Sequence, residues 1–138
     1  MVDQIEPLTS GNATMIKRKL DTSVVIARVD SSCYLFRYYK TDIVSSSCTE
    51  TVADHTVLIV GYGTYSYDAF DPSLSTQSNY FIVRNSWGTD WGVSGYMKIA
   101  FDDSDKSILS DGYLGIQNSP IAITVKVTFN DEDDVKES

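Results

Sequence analysis

Basic residues, cysteine and histidine are all scarce in this sequence. Eleven Lys and Arg stand against 19 Asp and Glu, a formal net charge of −8. A surface so weighted disfavours nucleic acid and anionic membrane, both of which select for basic faces. Part of the charge is local, because residues 131–134 read DEDD and Glu137 follows. The segment 130–138 is therefore read as a solvated acidic tail, with an electrostatic docking tail as the alternative. One histidine and two cysteines far apart in sequence give no metal-ligand spacing, so neither a metal nor another cofactor is expected. Two cysteines are also too few to separate an oxidising from a reducing compartment. No apolar run is long enough to cross a bilayer, and the start, MVDQIEP, has neither the basic nor the apolar region of a secretory signal. Compartment stays open.

What is abundant points to an ordered β-rich domain. The chain has 138 residues, 42% of them hydrophobic, and nine tyrosines, enough for one core but small for two lobes. Asn12 followed by ATMIKRKL reads as a capped short helix with Met15, Ile16, Lys19 and Leu20 near one face. SVVIARVD (23–30) is a strand by β-branched content, and YLFRYYKTDIV (34–44) supplies core and connection. Residues 52–62 form a strand that His55 opens, 63–78 a polar hairpin loop turning at Asp71-Pro72, and 79–84 the next strand. GYMKIAF (95–101) and SPIAITVKVTF (119–129) alternate as half-buried strands, with an acidic turn region at 102–111 between them. These elements predict a mainly β (α+β) fold: a small antiparallel, barrel-like lobe with a short N-terminal helix, spanning 1–129.

Chemistry concentrates in two motifs. NYFIVRNSWGTDW (79–91) sets one polar Asn85 between an apolar strand and the rings of Trp87 and Trp91, and DHTVLIVGYG (54–63) carries the sole histidine. The histidine before VLIVGYG, followed by NSWG, resembles the C-terminal half of the papain family of cysteine proteases. The order of further motifs extends the resemblance from Val2 to about Pro120. VDQIEP (2–7) is similar to the crossover segment entering that family's right-hand lobe, FRYYKTDI (36–43) to its F-x-x-Y-x-x-G-I segment, and GYMK and Gly115-Ile116 follow in order.

The resemblance implies roles. His55 would be the catalytic base and Asn85 would hold its ring, since a thiol attacks as thiolate and an adjacent imidazole takes its proton. The second ring nitrogen then needs a fixed acceptor, which an amide oxygen supplies. Trp87 would shield that hydrogen bond, with Trp91 on the leaving-group side of the cleft. Asp54 and Ala27 resemble walls of the main specificity pocket and Ser119 its floor, although packing explains residues so small or common equally well. The family's Q-x-x-x-C-G-S-C-W stretch, with its nucleophile and oxyanion glutamine, has no counterpart around Cys33 or Cys48. Leu114 stands where the family carries the cysteine that bridges to the one matching Cys48.

Two functions follow. The chain is either the His/Asn half of a papain-like endopeptidase, inactive alone and hydrolysing peptides when another lobe supplies Cys and Gln, or a non-catalytic module that keeps the protease lobe as a scaffold in a larger assembly. In either case a left-hand lobe or another protein chain should cover the face bearing His55, Trp87 and Trp91. The family is usually lysosomal or secreted. For Cys33 and Cys48, which end different segments, free thiols are favoured over a bridge.

Overall fold

The computed structural model describes residues 2–66, 77–101 and 111–125. Among these residues seven strands form one sheet in the order β1-β7-β2-β4-β5-β6-β3. They are β1 (Val2–Pro7), β2 (Val24–Val29), β3 (Ile43–Val44), β4 (His55–Ser66), β5 (Gln77–Arg84), β6 (Tyr96–Phe101) and β7 (Ile121–Val125). Neighbours run antiparallel except for the parallel β3/β6 pair. Among the described residues the helices are few and short: α1 (Ala13–Lys19), α2 (Tyr34–Arg37) and a 3-10 turn at Tyr113–Gly115. Asn12 caps α1 as its sequence demands, its Oδ1 accepting the Met15 amide at 3.0 Å, and Ile16 drops fully into the core.

Period-2 alternation sets the core. In β2, Val25, Ala27 and Val29 are buried while Arg28 is exposed, as a half-buried strand requires. Val57 and Ile59 of β4, Phe81 and Val83 of β5, and Met97 and Ile99 of β6 join them. Phe81 and Phe101 stack at 4.1 Å between ring centroids.

Several expectations change. The hairpin loop assigned to 63–78 is shorter, because β4 and β5 stay paired out to Ser66↔Gln77. The proposed turn at Asp71-Pro72, the acidic region at 102–110 and residues 126–138 lie outside the described residues. The VDQIEP segment is a strand, satisfying its backbone against β7. Tyr34–Arg37 is a helical turn rather than plain connection.

That turn decides the cysteines. Cys33 is the N-cap of α2, so the chain folds back immediately after it. Asp42, at φ 73°, turns it again into β3. Cys33 and Cys48 thereby meet at a Cα separation of 5.8 Å and form a disulfide, within the roughly 7 Å such a bond allows. The free thiols favoured from sequence are corrected. Separation along the chain said nothing of a helical turn that returns one end to the other. Thiol titration of denatured, unreduced protein should accordingly find no free thiol, and two free thiols would contradict the fold of this segment. Such a bridge persists in oxidising surroundings.

Asp42 occupies the position where the resembling segment has glycine. Its positive φ places an L side chain where about 1–2 kcal/mol is lost relative to ordinary backbone. Glycine removes that penalty but gives back roughly 0.5–1 kcal/mol of chain entropy. Asp42→Gly should therefore raise stability slightly, by about 0.5 kcal/mol. A drop of more than about 1 kcal/mol in urea unfolding would show that Asp42 has a further structural role.

Candidate functional site

Where β4 begins and β5 ends, the sheet brings the two sequence motifs together. Leu58↔Arg84 and Ile59↔Val83 are paired, so Asn85, just past the end of β5, comes next to His55 at the start of β4. The Asn85 amide bonds back to Gly95 O at 3.0 Å, fixing the backbone from which its side chain projects.

His55 Nε2 and Asn85 Oδ1 are 2.8 Å apart. The same Oδ1 accepts the Ser86 amide at 2.8 Å, so oxygen, not nitrogen, faces the imidazole. Nε2 must then carry the proton. Nδ1 is left as the basic nitrogen of the neutral ring, and among the described residues nothing bonds to it. Asn85 is 1% exposed, and its Nδ2 is buried without a partner among the described residues. An unmet buried donor costs about 1–3 kcal/mol, and such exceptions concentrate at functional sites.

Aromatic rings support this pair. Trp87, 41% exposed, lies 5.1 Å from the His55 ring at a 35° tilt. Phe36, fully buried, meets His55 at 5.8 Å and Trp87 at 5.1 Å, both edge-on. Trp91 is buried rather than on the exposed face. It packs on Phe36 at 4.9 Å and donates its indole N–H to Phe36 O at 3.0 Å, and its ring stands perpendicular to Trp87. The exposed face is therefore His55 with Trp87, carried by a second layer of Phe36 and Trp91.

The remaining candidates divide. Asp54 is exposed beside His55, its Oδ1 accepting from the Ser31 amide at 3.0 Å and the Ser31 hydroxyl at 2.9 Å. These bonds, the backbone one foremost, hold its carboxyl below the usual range. Ser119 is exposed, its hydroxyl donating to Asn118 Oδ1. Ala27 is buried in the core and does not join them. Arg28, paired across to Thr56, faces outward on the opposite side of the sheet from His55. Sequence reading passed over Phe36 as a site residue. Among the described residues there is no group of three potential metal ligands, and no helix long and apolar enough to cross a membrane.

Both the sequence and the fold are shared with known proteins. The family model described as papain family cysteine protease matches residues 1–124. Procathepsin L of Felis catus is 43% identical over 79 residues, 56% of this chain and 22% of that protein. Cysteine proteinase COT44 of Brassica napus is 35% identical over 106 residues, 77% of this chain and 29% of that protein. Among solved structures, the bromelain protease of Ananas comosus in complex with the E64 inhibitor superposes with a TM-score of 0.67 at 26% identity, covering 91% of this chain and 51% of that one. The chain thus spans less than a third of the two curated relatives and about half of the solved protease.

Proposed function

Because this chain belongs to the papain family of cysteine proteases, we propose that it supplies the histidine and asparagine half of a cysteine endopeptidase. The nucleophilic Cys and the oxyanion Gln come from a lobe outside these 138 residues. The observation that carries the reading is the 2.8 Å contact between His55 Nε2 and an Asn85 oxygen whose identity the Ser86 amide fixes. That contact leaves Nδ1 free to take a thiol proton, and the imidazolium so formed stabilises the thiolate. Trp87 limits water at the His55–Asn85 bond, and a water-poor setting strengthens it. In this reading the lobe runs over 1–129, with 130–138 as a solvated acidic tail. The His55/Trp87 face is where the second lobe closes the cleft, since an exposed aromatic patch of this kind marks an interaction surface.

Both cysteines of the chain are joined to each other, so neither is available as a nucleophile. That supports inactivity of the 138 residues alone, and it equally favours a second reading, a protease lobe kept as a non-catalytic module in a larger assembly. One experiment separates the two. The natural material is treated with E64, the inhibitor bound to the bromelain relative, and weighed by intact mass under native and denaturing conditions. A covalent adduct on a cysteine outside residues 33 and 48 is the expected result. Its absence, with an unrelated protein bound to the chain, would leave the scaffold reading in place of the enzyme.

A further inference from the structure

Asn12-Ala13-Thr14 has the Asn-x-Ser/Thr pattern, without proline at its centre, on which asparagine is N-glycosylated. Of the five asparagines in the chain, Asn12 alone is followed two residues later by Ser or Thr. It also caps α1, its Oδ1 accepting the Met15 amide at 3.0 Å. Ser, Thr or Asp would cap as well, but of these four only asparagine offers an amide nitrogen. The side chain is half-buried. Its Nδ2 has no hydrogen-bond partner among the described residues, and it is not one of the buried polar atoms left without one, so it reaches solvent. Glycosylation replaces one of its two hydrogens and leaves Oδ1 on the Met15 amide, so cap and glycan are compatible. Capping does not account for Thr14. It stands second in a seven-residue helix, where a β-branched side chain loses rotamer freedom, and its hydroxyl makes no hydrogen bond among the described residues. In the glycosylation pattern that hydroxyl is a required member. The Cys33–Cys48 disulfide is an independent observation. Such bonds form in the oxidising lumen of the secretory pathway, and the pattern acts as an acceptor in secreted proteins.

We propose that Asn12 is an N-glycosylation site. The donor is an oligosaccharide joined through pyrophosphate to a membrane lipid. Asn12 Nδ2 bonds to the anomeric carbon of the first sugar, and the bond from that carbon to the pyrophosphate oxygen breaks. The lipid pyrophosphate leaves with the electron pair, one amide proton passes to a base of the transferase, and nothing is oxidised or reduced. A glycan is bulky and solubilising, so the N-terminal end of α1 stays in solvent and a second lobe or other partner must seat elsewhere. None of these observations involves His55 or Asn85, so the site is the same whether the chain is half of an enzyme or a scaffold.

The test weighs the peptide containing residues 12–14 from the natural material, before and after an amidase that cuts the glycan from asparagine. Before treatment it should exceed its sequence mass by a whole number of hexose and N-acetylhexosamine units. After treatment it should carry aspartate at position 12, which the amidase leaves behind. Variants secreted from a eukaryotic cell, together with whatever second lobe the natural material holds, then locate the attachment. Asn12→Asp keeps the cap and removes the acceptor nitrogen, and Thr14→Ala keeps Asn12 intact and removes the hydroxyl, so both should lose the added mass while remaining folded. Thr14→Ser retains the hydroxyl and should retain the glycan. A bare peptide from the natural material would overturn the proposal. So would added mass that survives Asn12→Asp, which would place the sugar on another residue, or that survives Thr14→Ala, which would show that the pattern is not what the transferase reads.

Discussion

In the enzyme assembled with its nucleophile lobe, His55→Ala is expected to lower kcat by about 10⁴–10⁶-fold, the range seen when the base of a nucleophile–base pair is removed. The base both takes the thiol proton and, once charged, stabilises the thiolate, so no part of that function survives in alanine. Asn85→Ala should be milder by at least about tenfold, since the imidazole remains and only its orientation and proton position are lost. Combining the two should add little to the loss from His55→Ala, because an orienting group has nothing left to orient. Single-turnover hydrolysis of a fluorogenic peptide reads all three variants. A fall of less than about tenfold for His55→Ala would sink the assignment of this ring as the base. Additive losses in the double variant would show that Asn85 acts independently of His55.

The pair itself was legible because each partner sits in a short local pattern. A histidine opening VLIVGYG and an asparagine closing NYFIVR fall at the ends of strands that pair with each other, and strand content is readable from β-branched and aromatic runs. The same holds for α1, where the Asn12 cap announces the start, and for β2. What escaped is what depends on contacts distant in sequence. Nothing local in VDQIEP says that it will pair with β7. Its propensity is weak, and a strand so placed is fixed by its partner's edge. Cys33 and Cys48 were read as apart because they end different segments, whereas the helical turn at Tyr34–Arg37, with Phe36 buried, folds the chain back between them.

The site's support was harder to read than its chemistry. Trp91 resembled a cleft residue, but its indole N–H finds Phe36 O and its ring is covered, a common outcome for a large ring with one donor. Leu114 illustrates the opposite case. In place of a bridging cysteine it is fully buried at φ 59°. Its backbone is held from two sides, by Ser47 Oγ at 2.8 Å and by the Asp30 amide at 2.9 Å. Hydrogen bonds and burial there do the joining that a disulfide would do, while Cys48 bonds to Cys33 instead.

Phe36→Ala is expected to destabilise the lobe itself by about 3–5 kcal/mol, the range for truncating a fully buried aromatic, and to lower its melting temperature by roughly 10–20 °C. Phe36 has no exposed surface, and it is the ring that His55, Trp87 and Trp91 share. Its removal therefore opens a cavity between the core and the exposed face. The neighbours cannot all collapse into that space: Trp91 is tied by its indole N–H to the residue 36 carbonyl, and His55 is held by Asn85. Phe36→Leu keeps much of the volume and should recover at least half of the loss. Unfolding in urea measures the stabilities, and tryptophan emission reports the site separately, since both indoles of the chain border this ring. A red shift in emission of the folded Phe36→Ala protein is the expected companion of the stability loss. A loss below about 1 kcal/mol with unchanged emission would mean that the platform under His55 is held from elsewhere.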